Sequence, residues 1–278
     1  MTVEERLEFW DVLLKMKNDD DLEKLNEKII FPDKFYRYRY VSIRNLNAIA
    51  ENKLYFSTSN YYDDPFDTFI YVDYKKLKES TGKSIEELKE VRDIMRGNFW
   101  SICFTEKCSN EYLWLKYADS HKGIVLEYEP ETLKRKTEDS IFSHIYPVAY
   151  SDVPYDATNF TKFVLYMLSV EIEKFDSKCD EILDSGLYTW DMERILLNKK
   201  MIHNYDEEWR LIWGNSCILE DNKQPTIKIK PTKIILGLKI SDDDKKAVLM
   251  AAEKAKIKSI EQMTIDDNDN FVAKPIKF

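Results

Sequence analysis

Glycine, cysteine and histidine are scarce in this sequence, and each shortage argues against a class of functional site. Only six of the 278 residues are glycine. Neither G-x-G-x-x-G nor G-x-x-x-x-G-K-[ST] occurs, which weighs against a Rossmann dinucleotide site and against a P-loop. Three histidines and four cysteines without C-x-x-C spacing make a poor set of metal ligands, so no metal is expected. The cysteines are Cys103, Cys108, Cys179 and Cys217, and their pattern favours reduced, mostly buried thiols in a cytoplasmic protein.

An excess of positive charge and long apolar runs are also lacking. The 42 basic and 51 acidic residues give a net charge of −9, whereas a protein that neutralises the phosphates of duplex nucleic acid usually carries a positive charge. The N-terminal segment "MTVEERLEFWDVLLKMK" is charged from its fourth residue and has no apolar run of the signal-peptide kind. No stretch approaches the length of a membrane span, so we expect no membrane partner. No feature of the sequence indicates an oligomeric state.

The chain does contain helical and strand periodicities in mixed order, which predict a single α+β domain over 1–278 with helical insertions. We expect N-terminal helices over 1–31, a core over 32–240, and a C-terminal helix with strands over 241–278 that completes a βαβ unit. The predicted helices cover about 3–17, 20–29, 42–52, 84–98, 111–123, 158–183, 187–202 and 241–257. The predicted strands cover about 34–41, 53–59, 99–105, 124–129, 143–151, 205–213, 232–240 and 259–266.

Two of the predicted strands have one charged face. In "FYRYRYV", alternation separates three tyrosines from a face that carries Arg37 and Arg39. An arginine fork can hold a diphosphate or ribose oxygens through two parallel hydrogen bonds. In "NYDEEWRLIW", alternation places Asp206, Glu208 and Arg210 on one face and mostly aromatic and apolar residues on the other, with the two carboxylates about 7 Å apart along the strand. These two strands are therefore the first candidates to line a functional site.

Five ordered phrases in the chain resemble the bacterial family catalogued as domain of unknown function 2971. The phrases are "FYRYRYV", "LYFSTSNYYDDPFD", "CFT", "LWLKYADSHKGIVLEY" and "YDEEWRLI", and together they span about residues 35–240. The sequence departs from the family pattern at Asp63, where the family usually has asparagine, and at Asp206, where it usually has glutamate. The family name assigns no activity.

The order of the motifs is also similar to that of ADP-ribosyltransferases. Those enzymes have a first strand carrying arginine or histidine, then a helix, then a strand with Ser-Thr-Ser or tyrosine, and a late strand with glutamate or glutamine two residues before a catalytic glutamate. Here "YRYR", "FSTS" and "DEE" occur in the same order. The resemblance implies a split β-sheet core, NAD as the substrate, and a transferase in a bacterial defence or toxin setting. Its acceptor would be a protein, a nucleic acid or a small molecule.

The resemblance also implies roles for individual residues. Glu208 would stabilise the positive charge that develops on the ribose as the nicotinamide bond breaks, and Asp206 would orient or deprotonate the acceptor. Arg39, followed by Arg37, would bind the nucleotide. The hydroxyls of Ser57 and Ser59 would brace the cleft, and Tyr61 or Tyr62 would stack on the nicotinamide ring. Further candidates are His121, Arg210 and Asp64.

Other interpretations of the same residues stay open at this stage. If the two charged strands are neighbours, their arginines and carboxylates can form cross-strand ion pairs with no functional role. Arg210 can simply neutralise the carboxylate face, and His121 can cap a helix. The chain can also be a non-catalytic module that binds a nucleotide or a protein. A metal-dependent nuclease built on Asp64, Asp67, Asp206 and Glu208 is the third alternative, although arginines nearby would oppose a bound cation.

Overall fold

The molecule is a mixed α+β structure, as predicted from the alternating periodicities. The computed structural model describes residues 1–17, 21–62, 64, 66–138, 143–170, 190–213 and 224–276. The helices are α1 Val3–Lys15, α2 Leu22–Asn26, α3 Ile43–Ala50, α4 Tyr74–Thr81, α5 Ile85–Asn98, α6 Glu111–Tyr117, α7 Pro130–Glu138, α8 Thr158–Leu168, α9 Asp191–Leu196 and α10 Asp242–Lys254. Within the described ranges no helix is both long and apolar enough to cross a membrane.

Within the described residues, the strands build one large sheet and three small two-stranded sheets. They are β1 Phe35–Arg39, β2 Lys53–Tyr55, β3 Ser57–Thr58, β4 Ile70–Tyr71, β5 Trp100–Thr105, β6 Ile124–Tyr128, β7 Ser143–Pro147, β8 Ala149–Ser151, β9 Tyr155–Asp156, β10 Asn198–Lys200, β11 Glu208–Trp213, β12 Thr226–Lys228, β13 Lys233–Leu236, β14 Ser259–Ile265 and β15 Phe271–Pro275. The large sheet has the order β15-β14-β13-β6-β1-β5-β11-β7, with β3 beside β5.

The C-terminal part of the sheet confirms the predicted βαβ unit. Strands β13 and β14 pair in parallel, with Ile234 opposite Ile260, and helix α10 connects them. A parallel pair needs a crossover connection of this kind. Strands β13 and β6 pair in antiparallel fashion, so the sheet is mixed.

Several predicted helix starts are confirmed by their capping contacts. The Ser42 hydroxyl accepts a hydrogen bond from the backbone N–H of Asn45 at the start of α3. At the start of α5, Ser84 and Glu87 form the predicted capping box, which satisfies two backbone N–H groups that a helix leaves unpaired.

The large sheet opens beside β1. This strand pairs with β6 at five positions but with β5 at only one, where Tyr36 lies opposite Thr105. Beyond that position β1 and β5 separate, and β3 takes the place beside the far end of β5, with Ser57 opposite Ser101. The middle of β5 therefore borders an opening on this side.

In the part of the chain that the structure describes, three apolar clusters pack the two faces of the sheet. On the first face, Phe35, Phe104 and Trp209 belong to one cluster with residues of α3 and α10. On the second face, Tyr38 packs with Trp114 of α6, while Ile212 belongs to a separate cluster with residues of α1, α5, α8 and α9. Between these last two clusters the second face carries buried polar residues, namely Ser101, Thr105, Glu208 and Arg210.

The prediction of a helix over 187–202 is wrong after residue 196. Helix α9 ends at Leu196, and Asn198–Lys200 forms β10, which pairs in parallel with β8. A 3-10 helix, Met201–Asp206, follows and leads to β11. Pairing with a strand about 50 residues away has overridden the local helical pattern. Residues 171–189, which include part of the helix predicted over 158–183, lie outside the described residues, as do Asp63, Cys179 and Cys217.

Three other predicted elements are shorter than the sequence pattern suggested. The strand predicted over 205–213 begins at Glu208, and the strand predicted over 53–59 is divided into β2 and β3. The helix predicted over 111–123 ends at Tyr117, because Asp119, Ser120 and His121 have positive φ angles. Gly123 then passes close to β1, where a Cβ atom would lie 2.3 Å from the carbonyl oxygen of Arg39.

Candidate functional site

A cavity of about 700 Å³ occupies the opening between β1 and β5. Leu126, which pairs opposite Arg37, lines it from the first face of the sheet. Thr105, which pairs opposite both Tyr36 and Glu208, lines it from the second face. Residues that pair directly opposite each other share a face, so the cavity is lined from both sides of the sheet. Its volume lies in the range of ligand-binding pockets.

Arg37 and Arg39 line one part of this cavity without a carboxylate partner. Arg37 is only 8% exposed, and its guanidinium makes no hydrogen bond or ion pair within the described part of the chain. Burial, and then the charge of Arg39, lowers the pKa of Arg37, although an arginine stays protonated at neutral pH. Arg39 is half-buried, and its Nη1 donates to the carbonyl of Tyr38 at 2.8 Å. Two neighbouring positive charges thus face the cavity uncompensated.

A buried ion-pair network lies at another part of the cavity. Lys199 Nζ lies 2.6 Å from Asp206 Oδ2, 2.8 Å from Glu208 Oε2 and 3.7 Å from Asp67 Oδ2. Arg210 donates from Nε to Glu208 Oε1 at 2.6 Å and from Nη2 to both oxygens of Asp67 at 2.7 and 2.9 Å. Each of these five side chains is at most 6% exposed. Lys199 and Arg210 each contact at least two carboxylates.

The ionisation of the two predicted acids differs. Burial acts to raise the pKa of Glu208, but ion pairs with Arg210 and Lys199 outweigh it and hold the pKa well below its usual range. Burial raises the pKa of Asp206, and the charge of Glu208 adds to this effect while Lys199 opposes it. Both oxygens of Glu208 are bonded, whereas Asp206 Oδ1 has no hydrogen-bond partner in the described residues. Glu208 is therefore a fixed anion, and Asp206 retains a free acceptor oxygen.

The backbone before β11 brings Asp206 next to Glu208 in a way that strand alternation does not. Asp206 ends the 3-10 helix, and Glu207 has a left-handed conformation with φ 44°. The Thr105 hydroxyl donates to the Asp206 carbonyl at 2.7 Å, and Tyr150 accepts the backbone N–H of Glu208 at 2.8 Å. The prediction that Asp206 lies on the strand is wrong. Its side chain reaches the network through Lys199.

Eight of the eleven residues predicted as site candidates line the cavity. These are Arg37, Arg39, Ser57, Tyr61, Tyr62, Asp64, Asp206 and Glu208. The structure thus brings together the arginines of β1, the end of "FSTS" that pairs with β5, and the acidic residues around the start of β11. The sequence interpretation depended on this proximity.

The tyrosines and Asp64 make different contacts within the cavity. Tyr61 is 79% exposed at the cavity lining, so its ring is accessible. The hydroxyl of Tyr62 hydrogen-bonds to Ser101, and its ring lies 5.1 Å from the guanidinium of Arg210. Asp64 Oδ2 lies 3.0 Å from Nε2 of His203. His203 also lines the cavity, and the sequence interpretation did not include it. Of the two tyrosines, Tyr61 has the accessible ring.

Three predicted candidates do not line the cavity. Arg210 is fully buried, and its charge is neutralised by Asp67 and Glu208, as the structural alternative for this residue proposed. Ser59 is fully buried and donates its hydroxyl to the carbonyl of Arg96, so it fastens α5 to the chain rather than bracing a ligand. His121 stacks on Trp114 with ring centroids 6.1 Å apart, and its pKa is lowered by burial.

Sequence interpretation missed Lys199 as a site residue. Its segment "NKK" resembled a helix end, and the pairing of β10 with β8 has no local signal. Asp67 entered only as a candidate metal ligand, yet it bonds to Arg210. Cys103, expected as a buried thiol, and Tyr117 also line the cavity, and burial raises the pKa of the Cys103 thiol to about 12.

The structure shows how the residues behind two of the alternative interpretations are placed. Cross-strand ion pairs between β1 and β11 do not form, because β5 lies between these strands. Three of the four carboxylates proposed as metal ligands, Asp67, Asp206 and Glu208, instead bind Lys199 or Arg210, and no group of three or more potential metal ligands occurs in the described ranges. Two buried cations among these acids are electrostatically unfavourable for a bound metal ion.

The comparisons with known proteins match one part of the chain to a family model and give no activity. No curated protein and no solved structure matches this chain. Residues 113–211 match the family model described as Protein of unknown function (DUF2971). The matched segment includes Tyr117, Lys199, Asp206, Glu208 and Arg210, and the motifs around Arg37 and Ser57 precede it. The family-model match thus confirms, over residues 113–211, the resemblance to this family seen in the sequence.

Proposed function

We propose that this protein binds NAD in the cavity between β1 and β5 and cleaves the nicotinamide–ribose bond, transferring ADP-ribose to an acceptor. The observation that carries the proposal is Arg37, a residue that is 8% exposed, whose guanidinium is unpaired within the described residues and whose Nε is fully buried. A buried charge without a partner is costly. A diphosphate bound by Arg37 and Arg39 would supply the missing negative charge in bidentate geometry.

The acidic part of the cavity supports the chemical step. Loss of nicotinamide breaks the bond to C1′ of the ribose and leaves positive charge on the sugar, while the bond electrons depart with the ring. A preorganised carboxylate stabilises such charge without reorganising at the moment of reaction. Glu208 fits this role because its ion pairs with Lys199 and Arg210 keep it ionised and immobile.

Asp206 supports the transfer to the acceptor. The acceptor nucleophile would form a bond to C1′ and lose its proton. Asp206 Oδ1 is a free acceptor for this proton, and the raised pKa of the Asp206 carboxyl makes it a better base than Glu208. The opening of the sheet between β1 and β5 is consistent with the split core that the enzyme resemblance implies.

A non-catalytic binding module is the second candidate, and one observation favours it. Both oxygens of Glu208 are engaged by cationic side chains, so this carboxylate also has a sufficient structural role. In this case the cavity would bind the nucleotide through Arg37 and Arg39 and release it unchanged.

Nicotinamide release by purified variants separates the candidates. Wild type, Glu208→Gln and a matched control, Glu193→Gln, are incubated with NAD in the presence and absence of cell lysate. Glu193 is a suitable control because it is 5% exposed in α9 and does not line the cavity. The proposal predicts release by wild type and Glu193→Gln and a loss of about 100-fold or more in Glu208→Gln.

Two other outcomes contradict the enzyme proposal. Binding of NAD without turnover in any of the three proteins would identify a binding module. Cleavage of nucleic acid that EDTA abolishes would instead identify the metal-dependent nuclease.

A further inference from the structure

Four buried polar atoms in residues that line the cavity have no hydrogen-bond partner in the described part of the chain. They are Nε of Arg37, Oδ1 of Asn52, Nε1 of Trp100 and Oδ1 of Asp206. Of these four, only Asp206 Oδ1 belongs to the ion-pair network around Lys199 and Arg210. Buried polar groups in folded proteins are nearly always bonded, either to other protein groups or to an ordered water. An unpaired carboxylate oxygen beside the cavity therefore indicates a bound donor.

The burial of Asp206 limits the size of that donor. Asp206 is 5% exposed, and the neighbouring Glu208 and Lys199 are 6% and 4% exposed. Oδ1 of Asp206 has almost no accessible surface of its own. A dinucleotide bound with its ribose at Glu208 would also close this end of the cavity from outside, because ligands of this size fill most of their pocket. A side chain of another protein or a nucleic-acid base would have to enter the buried network, whereas a water molecule needs the space of a single oxygen atom.

Tyr117 supplies a second hydrogen-bonding group at the same end of the cavity. It lines the cavity from the end of α6, and the ammonium of Lys116 lies 4.9 Å from its ring centroid. Burial raises the pKa of Tyr117, and the charges of Lys199, Glu208 and Asp206 also act on it, so its hydroxyl lies near the network and is neutral at pH 7. A buried water usually makes two to four hydrogen bonds. Asp206 Oδ1 and the Tyr117 hydroxyl can accept the two hydrogens of one water.

We infer that the acceptor of ADP-ribose in this protein is water, so that the protein hydrolyses NAD and does not modify a macromolecule. The inference rests on the proposed function and names its acceptor. The bond between nicotinamide and C1′ breaks, and its electron pair leaves with the ring. The water oxygen forms the new bond to C1′, and its proton passes to Oδ1 of Asp206, which then releases it to solvent. The products are nicotinamide, ADP-ribose and one proton, with no oxidation or reduction.

Tyr117 is a positioning residue in this arrangement. By accepting the second hydrogen of the water, its hydroxyl leaves a lone pair of the water oxygen directed at C1′. Asp206 is the base, because both oxygens of Glu208 are already engaged by Lys199 and Arg210 and the Tyr117 hydroxyl stays neutral.

The products that the purified protein forms from NAD test the inference. NAD labelled in its adenine is incubated with wild type in the presence and absence of cell lysate. We expect nicotinamide and free ADP-ribose in equal amounts, in excess over the protein, and at the same rate with and without lysate. The protein and nucleic-acid fractions of the lysate should carry no label.

Tyr117→Phe tests the position of the water, and Tyr74→Phe is its matched control. The Tyr74 hydroxyl is also buried without a partner in the described residues, but Tyr74 does not line the cavity. Loss of one hydrogen bond to the attacking water should lower kcat for NAD about tenfold. KM should stay within about twofold of wild type, because the hydroxyl orients the water and not the dinucleotide. Tyr74→Phe should keep both constants.

The contrary outcomes are distinct from one another. Label on lysate protein or nucleic acid, together with nicotinamide release that requires the lysate, would overturn the inference and leave the proposed function intact. No nicotinamide release under either condition would overturn both. An unchanged kcat in Tyr117→Phe would overturn the placement of the water. If Tyr117→Phe does not fold, the products formed by wild type still decide the acceptor.

Discussion

The two charged regions of the cavity differ in how the fold treats buried charge. Lys199 and Arg210 each contact at least two carboxylates at hydrogen-bond or ion-pair distance. Arg37 and Arg39 contact none in the described ranges, although Arg37 is nearly as buried as Lys199. The same cavity therefore has one set of charges that is internally neutralised and another that is not.

We interpret this difference as one of role: Lys199 and Arg210 stabilise the fold through ion pairs, whereas Arg37 and Arg39 are available to bind a ligand. Removing one partner of a buried ion pair leaves an uncompensated charge and is strongly destabilising. Removing a charge that is already uncompensated has no such penalty. Stability measurements on single variants should thus give opposite results for the two regions.

The largest loss of stability is expected for Arg210→Met. This change leaves Asp67 and Glu208 buried with no guanidinium partner, and it also frees the carbonyl of Leu196. We expect the free energy of unfolding to fall by about 3–5 kcal/mol, measured by urea denaturation at neutral pH. A loss below about 1 kcal/mol would show that the network does not stabilise the fold.

A smaller effect is expected from the titration of Glu208. Its folded-state pKa is lowered, so its contribution to stability is complete above the unfolded-state value of about 4.3 and is lost as the pH falls through the lowered folded-state value. Urea denaturation of wild type and Glu208→Gln should show a stability gap at pH 7 that narrows progressively below about pH 4. A gap that stays constant down to low pH would mean that Glu208 has an ordinary pKa.

A predicted candidate outside the cavity should affect stability but not binding. Ser59→Ala removes one hydrogen bond, from the hydroxyl to the carbonyl of Arg96 at 3.0 Å. We expect a loss of about 1 kcal/mol in the free energy of unfolding and an unchanged affinity for NAD. A clear loss of NAD affinity in Ser59→Ala would indicate that Ser59 contributes to the binding site after all.

The smallest change in stability is expected for Arg37→Met. Comparing its free energy of unfolding with that of Arg210→Met contrasts an unpaired buried arginine with a paired one. Methionine fills a similar volume without a buried charge, so the free energy of unfolding should stay within about 1 kcal/mol of wild type or increase. Denaturation in urea without ligand measures it. A loss as large as that of Arg210→Met would show that Arg37 has a structural partner.

The sequence predicted those parts of the fold and site that depend on local patterns. Helix caps at Ser42 and Ser84 and the βαβ unit follow from spacing within a few residues. The grouping of Arg37, Arg39, Glu208 and Asp206 around one cavity came from the resemblance between motifs. Strand alternation could not predict the left-handed Glu207, because that turn is fixed by contacts to Thr105 and Tyr150.

Long-range pairing accounts for the rest of what sequence reasoning missed. The segment containing Lys199 has a helical pattern but joins β8, and only this pairing carries its amine into the acidic network. The insertion of β5 between β1 and β11 likewise has no signal in either strand. It prevents the cross-strand ion pairs that would have neutralised Arg37 and so leaves that guanidinium free.

The central claim is that the unpaired guanidinium of Arg37 binds the anionic part of a nucleotide. Calorimetric titration of NAD into wild type, Arg37→Met and Arg194→Met tests it most directly. Arg194 is a control that is paired with Asp191 and bonded to the carbonyl of Leu13, away from the cavity. We predict that Arg37→Met binds NAD at least about tenfold more weakly than wild type, while Arg194→Met retains wild-type affinity. Wild-type affinity in Arg37→Met would contradict the account.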